Sequence, residues 1–477
     1  MPKDMKFHGL ICAILLLPPL AGCSQVKEAM DKEKTVIPPT VIKVTVPTET
    51  VKPKLQEVVP ADVSNGNSGA ANKSAPKQGA PAVEENLLPQ QLPAGSSSDT
   101  MPIPVPIAPK PKPLQPPPPS SHLGNTPLLA SIQAPDRFYQ GGVITEDTLW
   151  SGDILVEGAL TVAPQATLTV SPGTVVRFRR ALSANSSSPV LLIQGRLLVT
   201  GTPERKVRFT SDLSPFSAGE WQGILFLASE KKNQIEHCIV EGAECGLDAA
   251  FSTLVIKESL FQKSRMGFRF QDSLATLSGG GALDCEVGFT LVDSEIDIRD
   301  ASFTGNRQGG VVARTSLYLT GSVFQNNGQG GLTAKDSRLK LTGNIFAENG
   351  HALALTGCEG SLTGARILRN SDVGLSLAGS RMRINGNEIT GNLRAGIQTE
   401  DGKGIIWGNA IFENGQYNLY HSGADDVKAI GNWWGLGAAG IQVKPDDRQA
   451  DSRRGRVLSS PVLKSRPDLP LLKGFAK

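Results

Sequence analysis

Large hydrophobic side chains recur along the second part of the chain at a spacing of 21 to 23 residues. Self-similarity at a fixed period of this length is typical of proteins built from stacked structural units. We therefore treat each recurring apolar residue as the anchor of one unit. The anchors are Ile239, Phe261, Ala282, Phe303, Phe324, Phe346, Ile367, Ile389, Ile411 and Trp434.

A second apolar column lies five residues before the anchors and alternates with polar positions. Alternation with a period of two indicates a strand with one buried face. A glycine lies three residues before most anchors, where we expect the chain to turn. The apolar column is Ile256, Leu277, Ile298, Leu319, Leu341, Leu362, Ile384 and Ile406, and the glycines are Gly279, Gly321, Gly343, Gly364, Gly386, Gly408 and Gly431.

Asparagine stands three residues after six successive anchors. Asparagine tolerates left-handed backbone torsions, and its side-chain amide can bond the same amide in a neighbouring unit. The column therefore predicts an internal ladder at a turn. Its members are Asn306, Asn327, Asn349, Asn370, Asn392 and Asn414.

The repeat is too short to hold a strand, a crossover helix and a second strand, and no window has a clean helical period. What remains is a coil of short strands and turns, stacked on the coil before it. Before Ile239 the period-two segments continue in longer cycles, and we expect them to be strands of irregular first coils. They are 154–156, 160–162, 168–170, 175–178, 197–199, 207–209 and 221–224.

The residues before the repeat include too few large apolar side chains to form a hydrophobic core. Twenty of the 33 prolines lie between Ser24 and Ala130, whereas 15 of the 16 phenylalanines and all five tryptophans lie beyond Gln133. Segments of this composition do not offset the entropy of ordering and prefer extended polyproline II. We predict a disordered spacer. A proline run that binds another domain or threads through peptidoglycan is the alternative.

The N-terminus has basic residues, an apolar run over 10–17 and then Leu20-Ala21-Gly22-Cys23. This order predicts a signal peptide, too short to span a membrane as a mature helix. The tetrapeptide resembles the lipobox of bacterial lipoproteins, which implies cleavage before Cys23 and its diacylation. Ser24 in the next position implies sorting to the outer membrane of a Gram-negative cell. An ordinary secretory signal that carries a cysteine is the alternative.

The repeat resembles the right-handed parallel β-helix proteins, the superfamily that also holds pectate lyases and related polysaccharide enzymes. The resemblance covers about residues 142–440. It rests on coils of the type Gly-Asn-x-Phe/Ile-x-x-Asn-Gly, on the opening 158–176 and on the closing Gly431-Asn432-Trp433-Trp434-Gly435. It implies an all-β fold, a right-handed parallel β-helix or solenoid, after a disordered proline-rich tether. Because the superfamily includes lyases, hydrolases, epimerases and non-catalytic binding proteins, activity stays open.

If the apolar columns point inward, the residues six and four before each of the eight anchors from Phe261 to Ile411 point outward from one sheet. We call these sixteen residues the wall. They are Val255, Lys257, Thr276, Ser278, Asp297, Arg299, Tyr318, Thr320, Lys340, Thr342, Ser361, Thr363, Arg383, Asn385, Ile405 and Trp407.

Planar polar groups and aromatic faces suit sugar rings, so an elongated wall suits an elongated glycan. A solvated sheet face with no ligand is the alternative. The candidate ligand-binding residues are Asp297, Arg299, Tyr318, Lys340, Arg383, Asn385 and Trp407.

Chemistry on the wall has weak support, and we assign no catalytic residue. Hydrolysis needs two nearby carboxylates, and Asp297 is the only acid of the wall. The resemblance implies that a lyase would combine calcium-binding acids with an Arg or Lys base, and Asp297, Arg299 and Lys340 are the candidates for that role. Asp272-Ser273, Asp293-Ser294 and Asp336-Ser337 recur at one phase of the repeat, which favours turn residues.

Composition excludes several other classes of function. The formal net charge is only +3, and acidic and basic residues are interspersed along the chain, which gives no argument for nucleic-acid binding. The five histidines are scattered, and the cysteines lack zinc spacing, so we predict no metal site and no cofactor, with calcium only for a lyase. We expect buried free thiols, or else a bridge between the first two cysteines of the folded part. These cysteines are Cys238, Cys245, Cys285 and Cys358.

The predicted organisation is a signal peptide over 1–22, a lipid anchor and disordered linker over 23–134, a β-helix over 135–440 and a C-terminal cap and tail over 441–477. The leading functional hypothesis is a monomeric, non-catalytic envelope protein, held in the membrane by acyl chains, that binds polysaccharide, peptidoglycan or another envelope partner. It would face the periplasm or the cell exterior. The alternatives are a polysaccharide lyase or glycoside hydrolase, and a purely structural envelope protein.

Overall fold

The computed structural model describes residues 128–129, 134–180, 188–436 and 455–469. All of them belong to the second of two units of the chain, Leu114–Lys477. The predicted signal peptide, Cys23 and nearly all of the predicted tether lie outside the described residues. Within them, no helix is long and apolar enough to cross a membrane.

The described chain winds through three parallel sheets, adding one strand to each sheet in turn. Sheet 1 contains Arg137–Tyr139, Asp153–Glu157, Val175–Arg179, Val207–Ser211, Cys238–Glu241, Leu260–Gln262, Gly281–Leu283, Ser302–Thr304, Val323–Gln325, Ile345–Ala347, Arg366–Leu368, Glu388–Thr390 and Ala410–Phe412. Sheet 2 contains Gly142–Ile144, Ala159–Val162, Val190–Ile193, Gly223–Leu227, Cys245–Ala250, Met266–Gln271, Val287–Val292, Gln308–Ala313, Gly330–Lys335, His351–Thr356, Val373–Ala378, Ala395–Glu400 and Tyr417–His421.

Sheet 3 carries the wall and has fourteen strands. They are Thr148–Trp150, Thr167–Val170, Arg196–Thr200, Asn233–Glu236, Thr253–Lys257, Leu274–Ser278, Glu295–Arg299, Ser316–Thr320, Arg338–Thr342, Glu359–Thr363, Arg381–Asn385, Ile405–Trp407, Val427–Lys428 and Val457–Leu458. A separate antiparallel pair joins Leu128–Leu129 to Leu213–Ser214.

The stacking of residues one repeat apart confirms a parallel β-helix. Phe303 pairs with Phe324, which pairs with Phe346 in the next coil. The first anchor, Ile239, was placed one residue early: Val240 is the residue that pairs with Phe261. Val240 is buried in the core, whereas Ile239 is only half-buried on the outward face. The predicted early strands form, except that Trp221 makes only an isolated bridge before Gly223–Leu227.

The chain turns through left-handed backbone at each corner of a coil. The glycines predicted before the anchors all have positive φ, from +62° to +68°. The asparagine corner differs from the prediction, because the left-handed residue is the one before each asparagine, as at Asn326 and Glu348. The asparagine itself therefore serves as a hydrogen-bonding group, not as a left-handed residue.

The asparagines of the predicted column bond one another from coil to coil. Their Nδ2 atoms donate to the Oδ1 of the next member over distances of 2.8 to 3.0 Å, from Asn306 up to Asn414. A second ladder that was not predicted links Asn387, Asn409 and Asn432 at another corner. At the third corner, serine hydroxyls accept backbone N–H groups, as Ser294 does from Ser273. Each corner thus satisfies its buried backbone donors with a polar column.

The main core is a continuous cluster from Ile144 to Trp434. Ile345, Ala347 and Leu368 form a small second cluster. Phenylalanine rings stack along it, with centroids 4.8 Å apart for Phe303 and Phe324 and 4.9 Å apart for Phe324 and Phe346. Trp434 continues the anchor column after Ile411, because Trp433 bridges Ala410 beside it. Packed side chains fill the interior of the described coils, so we look for ligand sites on their outward faces.

Candidate functional site

The wall residues all lie on the outward face of sheet 3. In each strand they alternate with core residues, as Asp297 and Arg299 do with Ile296 and Ile298. One column of the wall runs through Asp297, Tyr318 and Lys340 in adjacent strands. Sequence reasoning missed a third outward column on the same face, whose members from one strand to the next are Leu274, Glu295, Ser316, Arg338, Glu359 and Arg381.

The candidate catalytic trio is only partly assembled. Arg299 Nε donates to Asp297 Oδ1 at 2.9 Å, and this contact raises the pKa of the guanidinium. Lys340 lies two strands from Asp297, with Tyr318 between them. Tyr318 is 42% exposed. Asp297 and Arg299 therefore form an ion pair, and the exposed residue Tyr318 separates this pair from Lys340.

Charge on this face changes along the helix axis. The strands Arg338–Thr342, Glu359–Thr363 and Arg381–Asn385 present four outward cations and one outward acid, a net charge of +3 from 4 − 1. Arg338 reaches the acid, Glu359, at 3.4 Å. Among the described residues, Lys340, Arg381 and Arg383 have no carboxylate within 4.0 Å. We call these three side chains the basic patch.

The other end of the wall has balanced charge. Lys257 contacts Glu236 at 2.7 Å, and Arg299 is held by Asp297. Thr342, Thr363 and Asn385 run beside the basic patch without charge. Trp407 is half-buried and pairs with Asn385 at its end. The basic patch, which adds Arg381 of the third column to the wall residues Lys340 and Arg383, is therefore the part of this face with spare cationic groups.

The repeated Asp-Ser pairs are turn residues, as the sequence suggests. Asp272, Asp293 and Asp336 have left-handed φ values of +46° to +49°. Asp293 also binds Arg314 through two contacts of 2.7 Å, and the pKa of its carboxyl is lowered by that hydrogen bonding. In the described part of the chain, no group of three His, Cys, Asp or Glu side chains is placed to hold a metal ion.

The cysteines of the folded part are free and buried, as predicted, and the Cys238–Cys245 bridge does not form. Two occupy ladder positions, since the backbone N–H of Cys285 donates to Asn306 and that of Cys358 donates to Ser380. Burial raises the pKa of Cys285 to about 11. These thiols are therefore protonated structural residues at neutral pH.

A second site, which sequence reasoning missed, lies on the outward face of sheet 1 near its first strands. Arg177 is 4% exposed and donates from Nε and Nη2 to Asp153 at 2.9 and 2.7 Å. Its Nη1 bonds Asp212, which also accepts from Arg179 at 2.6 Å. The hydrogen bond to Asp153 raises the pKa of Arg177.

Beside this network Arg208 contacts Glu241 at 2.5 Å, and Glu241 also accepts from Gln262 at 2.7 Å. The ion pairs Arg177–Asp153 and Arg208–Glu241 line a cleft of about 450 Å³, and Phe216 also lines it. We call it the sheet-1 cleft. Its full lining is Gly152, Asp153, Gly173, Val175, Arg177, Arg208, Thr210, Ser211, Leu213, Ser214, Phe216 and Glu241.

One signal could have revealed this cleft in the sequence. Arg177 interrupts the apolar run 175–178, and Arg208 interrupts 207–209, both at outward positions of adjacent strands. Their acidic partners lie 24, 35 and 33 residues away. The coils here are irregular, so no fixed period links the partners.

Comparison with known proteins agrees with the fold. Residues 287–433 match the family model described as right handed beta helix region. The predicted fold class, a right-handed parallel β-helix, is thereby confirmed. No curated protein sequence matches the chain significantly.

Solved structures similar to the chain include a mutant of the periplasmic alginate epimerase AlgG, with 13% identity, a TM-score of 0.40 and coverage of 69% of this chain and 80% of that one. The A-module of Azotobacter vinelandii mannuronan C-5 epimerase AlgE4 has 17% identity and a TM-score of 0.28, covering 60% and 89%. Bacteriophage CBA120 tailspike protein 3 has 12% identity and a TM-score of 0.22, covering 69% and 57%. Similarity at this level says nothing of what the present chain binds.

Proposed function

We propose that this chain is a lipid-anchored envelope protein whose wall binds an extended acidic polysaccharide without cleaving it. The observation that carries the proposal is the basic patch, three exposed cations on two strands with one strand between them, without a carboxylate partner among the described residues. Guanidinium groups bind carboxylates through two parallel hydrogen bonds, and ammonium groups add a point charge.

The geometry of the wall suits a linear polymer. Neighbouring strands of a sheet are about 4.8 Å apart, close to the length of one sugar ring along a chain. Lys340 and Arg383 share a column with Ser361 between them, so their backbones are about 10 Å apart. Acidic units two positions apart in a polymer lying along the helix axis can therefore meet these two cations.

Flanking groups supply the contacts that a sugar needs besides charge. Thr342, Thr363 and Asn385 offer hydroxyl and amide groups beside the basic patch, and Trp407 offers an aromatic ring at its end. Sugar hydroxyls pair with the polar groups, and the C–H face of a ring stacks on the aromatic. A solvated sheet face would need neither the aromatic nor the grouped charges.

A direct test measures binding of the full chain to polygalacturonate and to a neutral dextran of matched length. We expect binding of the acidic polymer only, weakening as salt rises from 50 to 300 mM because exposed charges are screened. Equal binding of both polymers, or of neither, would contradict the proposal.

The same mixtures separate binding from catalysis. Incubation with and without calcium should give no new reducing ends and no unsaturated uronates. Calcium-dependent products that disappear in Asp297→Ala would instead establish the lyase alternative on the same wall.

The lipid anchor is tested separately. We expect an alkyne-labelled fatty acid to be incorporated at Cys23, with outer-membrane fractionation of the product, and both to be lost in Cys23→Ala. Proteolysis of intact cells then distinguishes a periplasmic from an exterior position. Labelling that persists in the variant would refute lipidation at this residue.

A further inference from the structure

We propose that the sheet-1 cleft is a second ligand site, one that takes a short neutral saccharide. It lies on a different sheet from the wall, so the inference does not depend on the proposed function. Its volume of about 450 Å³ lies within the range of small-molecule sites. That volume suits a short oligosaccharide.

The charges that line the cleft balance one another. Arg177 and Arg208 contribute two cations, and Asp153 and Glu241 contribute two carboxylates. An acidic sugar would gain little from such a lining, because each guanidinium already has a carboxylate partner. A neutral sugar suits it, since each hydroxyl can both donate to a carboxylate and accept from a guanidinium.

The polar groups of the cleft are held in place before a ligand arrives. Arg177 is fixed by Asp153 and Asp212, and Glu241 is 4% exposed between Arg208 and Gln262. Arg208 is 45% exposed, and its guanidinium has more N–H groups than its contact with Glu241 uses. Groups fixed in this way lose little entropy when they bind.

Phe216 supplies an apolar surface in the same cleft. Its ring packs over Gly242, where an added Cβ would lie 2.9 Å from the ring and where φ is +73°. The neighbouring Leu213–Ser214 pairs with Leu128–Leu129, which fixes the segment that carries the ring. A fixed aromatic ring beside paired polar groups is a common way to bind a sugar ring on its C–H face.

The test uses the full chain with maltotriose, cellotriose and the trimer of N-acetylglucosamine as neutral probes, and trigalacturonate as the acidic probe. Saturation-transfer NMR detects binding, and calorimetry gives the affinity. We expect at least one neutral trisaccharide to bind in preference to trigalacturonate. Phe216→Ala and Arg208→Met should each weaken that binding at least tenfold.

A wall variant with Lys340→Gln and Arg383→Gln is the matched control and should bind the same trisaccharide as the unaltered chain does. Circular dichroism and the melting temperature confirm that each variant is folded, and Phe216→Ala provides the test if Arg208→Met is not. No binding of any neutral probe, unchanged affinity in a folded cleft variant, preference for trigalacturonate, or loss only in the wall variant would overturn the inference.

Discussion

The side-chain amide of Asn327 donates to Oδ1 of Asn349 at 2.9 Å, although 22 residues separate them. The same Oδ1 accepts the backbone N–H of Asn327 at 3.1 Å. One buried asparagine per coil thus binds both the backbone and the side chain of the coil before it. This contact fixes which residues of successive coils lie beside each other on the wall.

Asn349→Ala should destabilise the chain by about 3 kcal/mol, because it leaves the backbone N–H and one side-chain N–H of Asn327 without an acceptor. Denaturant unfolding of the full chain measures the effect. The exposed substitution Lys335→Ala in the neighbouring sheet is the control and should change stability by less than about 0.5 kcal/mol. Equal stability of the two variants would show that the ladder contributes nothing.

Phe324→Ala should cost about 3–5 kcal/mol, since it opens a cavity between two stacked rings. Phe251, which is 59% exposed, provides a control of the same residue type. Its replacement by alanine should cost under about 1 kcal/mol, because little buried surface is lost. Thermal unfolding of both variants gives the comparison, and a smaller loss at Phe324 than at Phe251 would contradict the core assignment.

Gly386→Ala tests the left-handed corner without a steric clash. An added Cβ at Gly386 meets nothing within 4 Å, but φ is +64°, so the substitution should cost about 1–2 kcal/mol. Gly328 is equally open and does not have a positive φ, so Gly328→Ala should be neutral or stabilising by up to about 1 kcal/mol. Urea midpoints that do not separate the two variants would contradict this account of the turn.

Acidification should weaken the fold through His351. Burial, the largest influence, lowers the pKa of this histidine, whose Nε2 lies 3.2 Å from Thr333 Oγ1. A lowered folded-state pKa means that its contribution is present above the unfolded value of about 6.5 and is lost as pH falls through the folded value. His351→Gln should flatten the stability profile between about pH 7 and 5, where histidine titrates. An unchanged slope would exclude His351 as its source.

Much of the fold follows from the sequence because each coil repeats the same physical requirement. Columns such as Phe303, Phe324 and Phe346 occupy one place in successive coils, so a simple count finds them. The error at Ile239 arose where the repeat begins, because Ile239 and Val240 are both apolar and only the stacking of Val240 on Phe261 chooses between them.

The sheet-1 cleft could not be predicted from the period of the repeat. Asp212 and Arg177 lie 35 residues apart, in coils of unequal length, and Phe216 lies in a segment outside the three large sheets. The outward orientation of the wall residues was predictable from the alternation of apolar and polar positions. The clustering of positive charge in the basic patch was not predicted. It depends on a third outward column, to which Arg381 belongs, that the anchor register did not include.

The most direct test of the wall compares two triple variants in calorimetric binding of polygalacturonate to the full chain. The first carries Lys340→Gln, Arg381→Gln and Arg383→Gln; the second removes the same charge elsewhere through Lys263→Gln, Arg307→Gln and Lys335→Gln. We expect the first to lose more than tenfold in affinity, about 1.4 kcal/mol, and the second to lose less than threefold. Equal losses of affinity in both variants would show that binding depends only on net charge. No loss in the first variant would contradict binding on the wall.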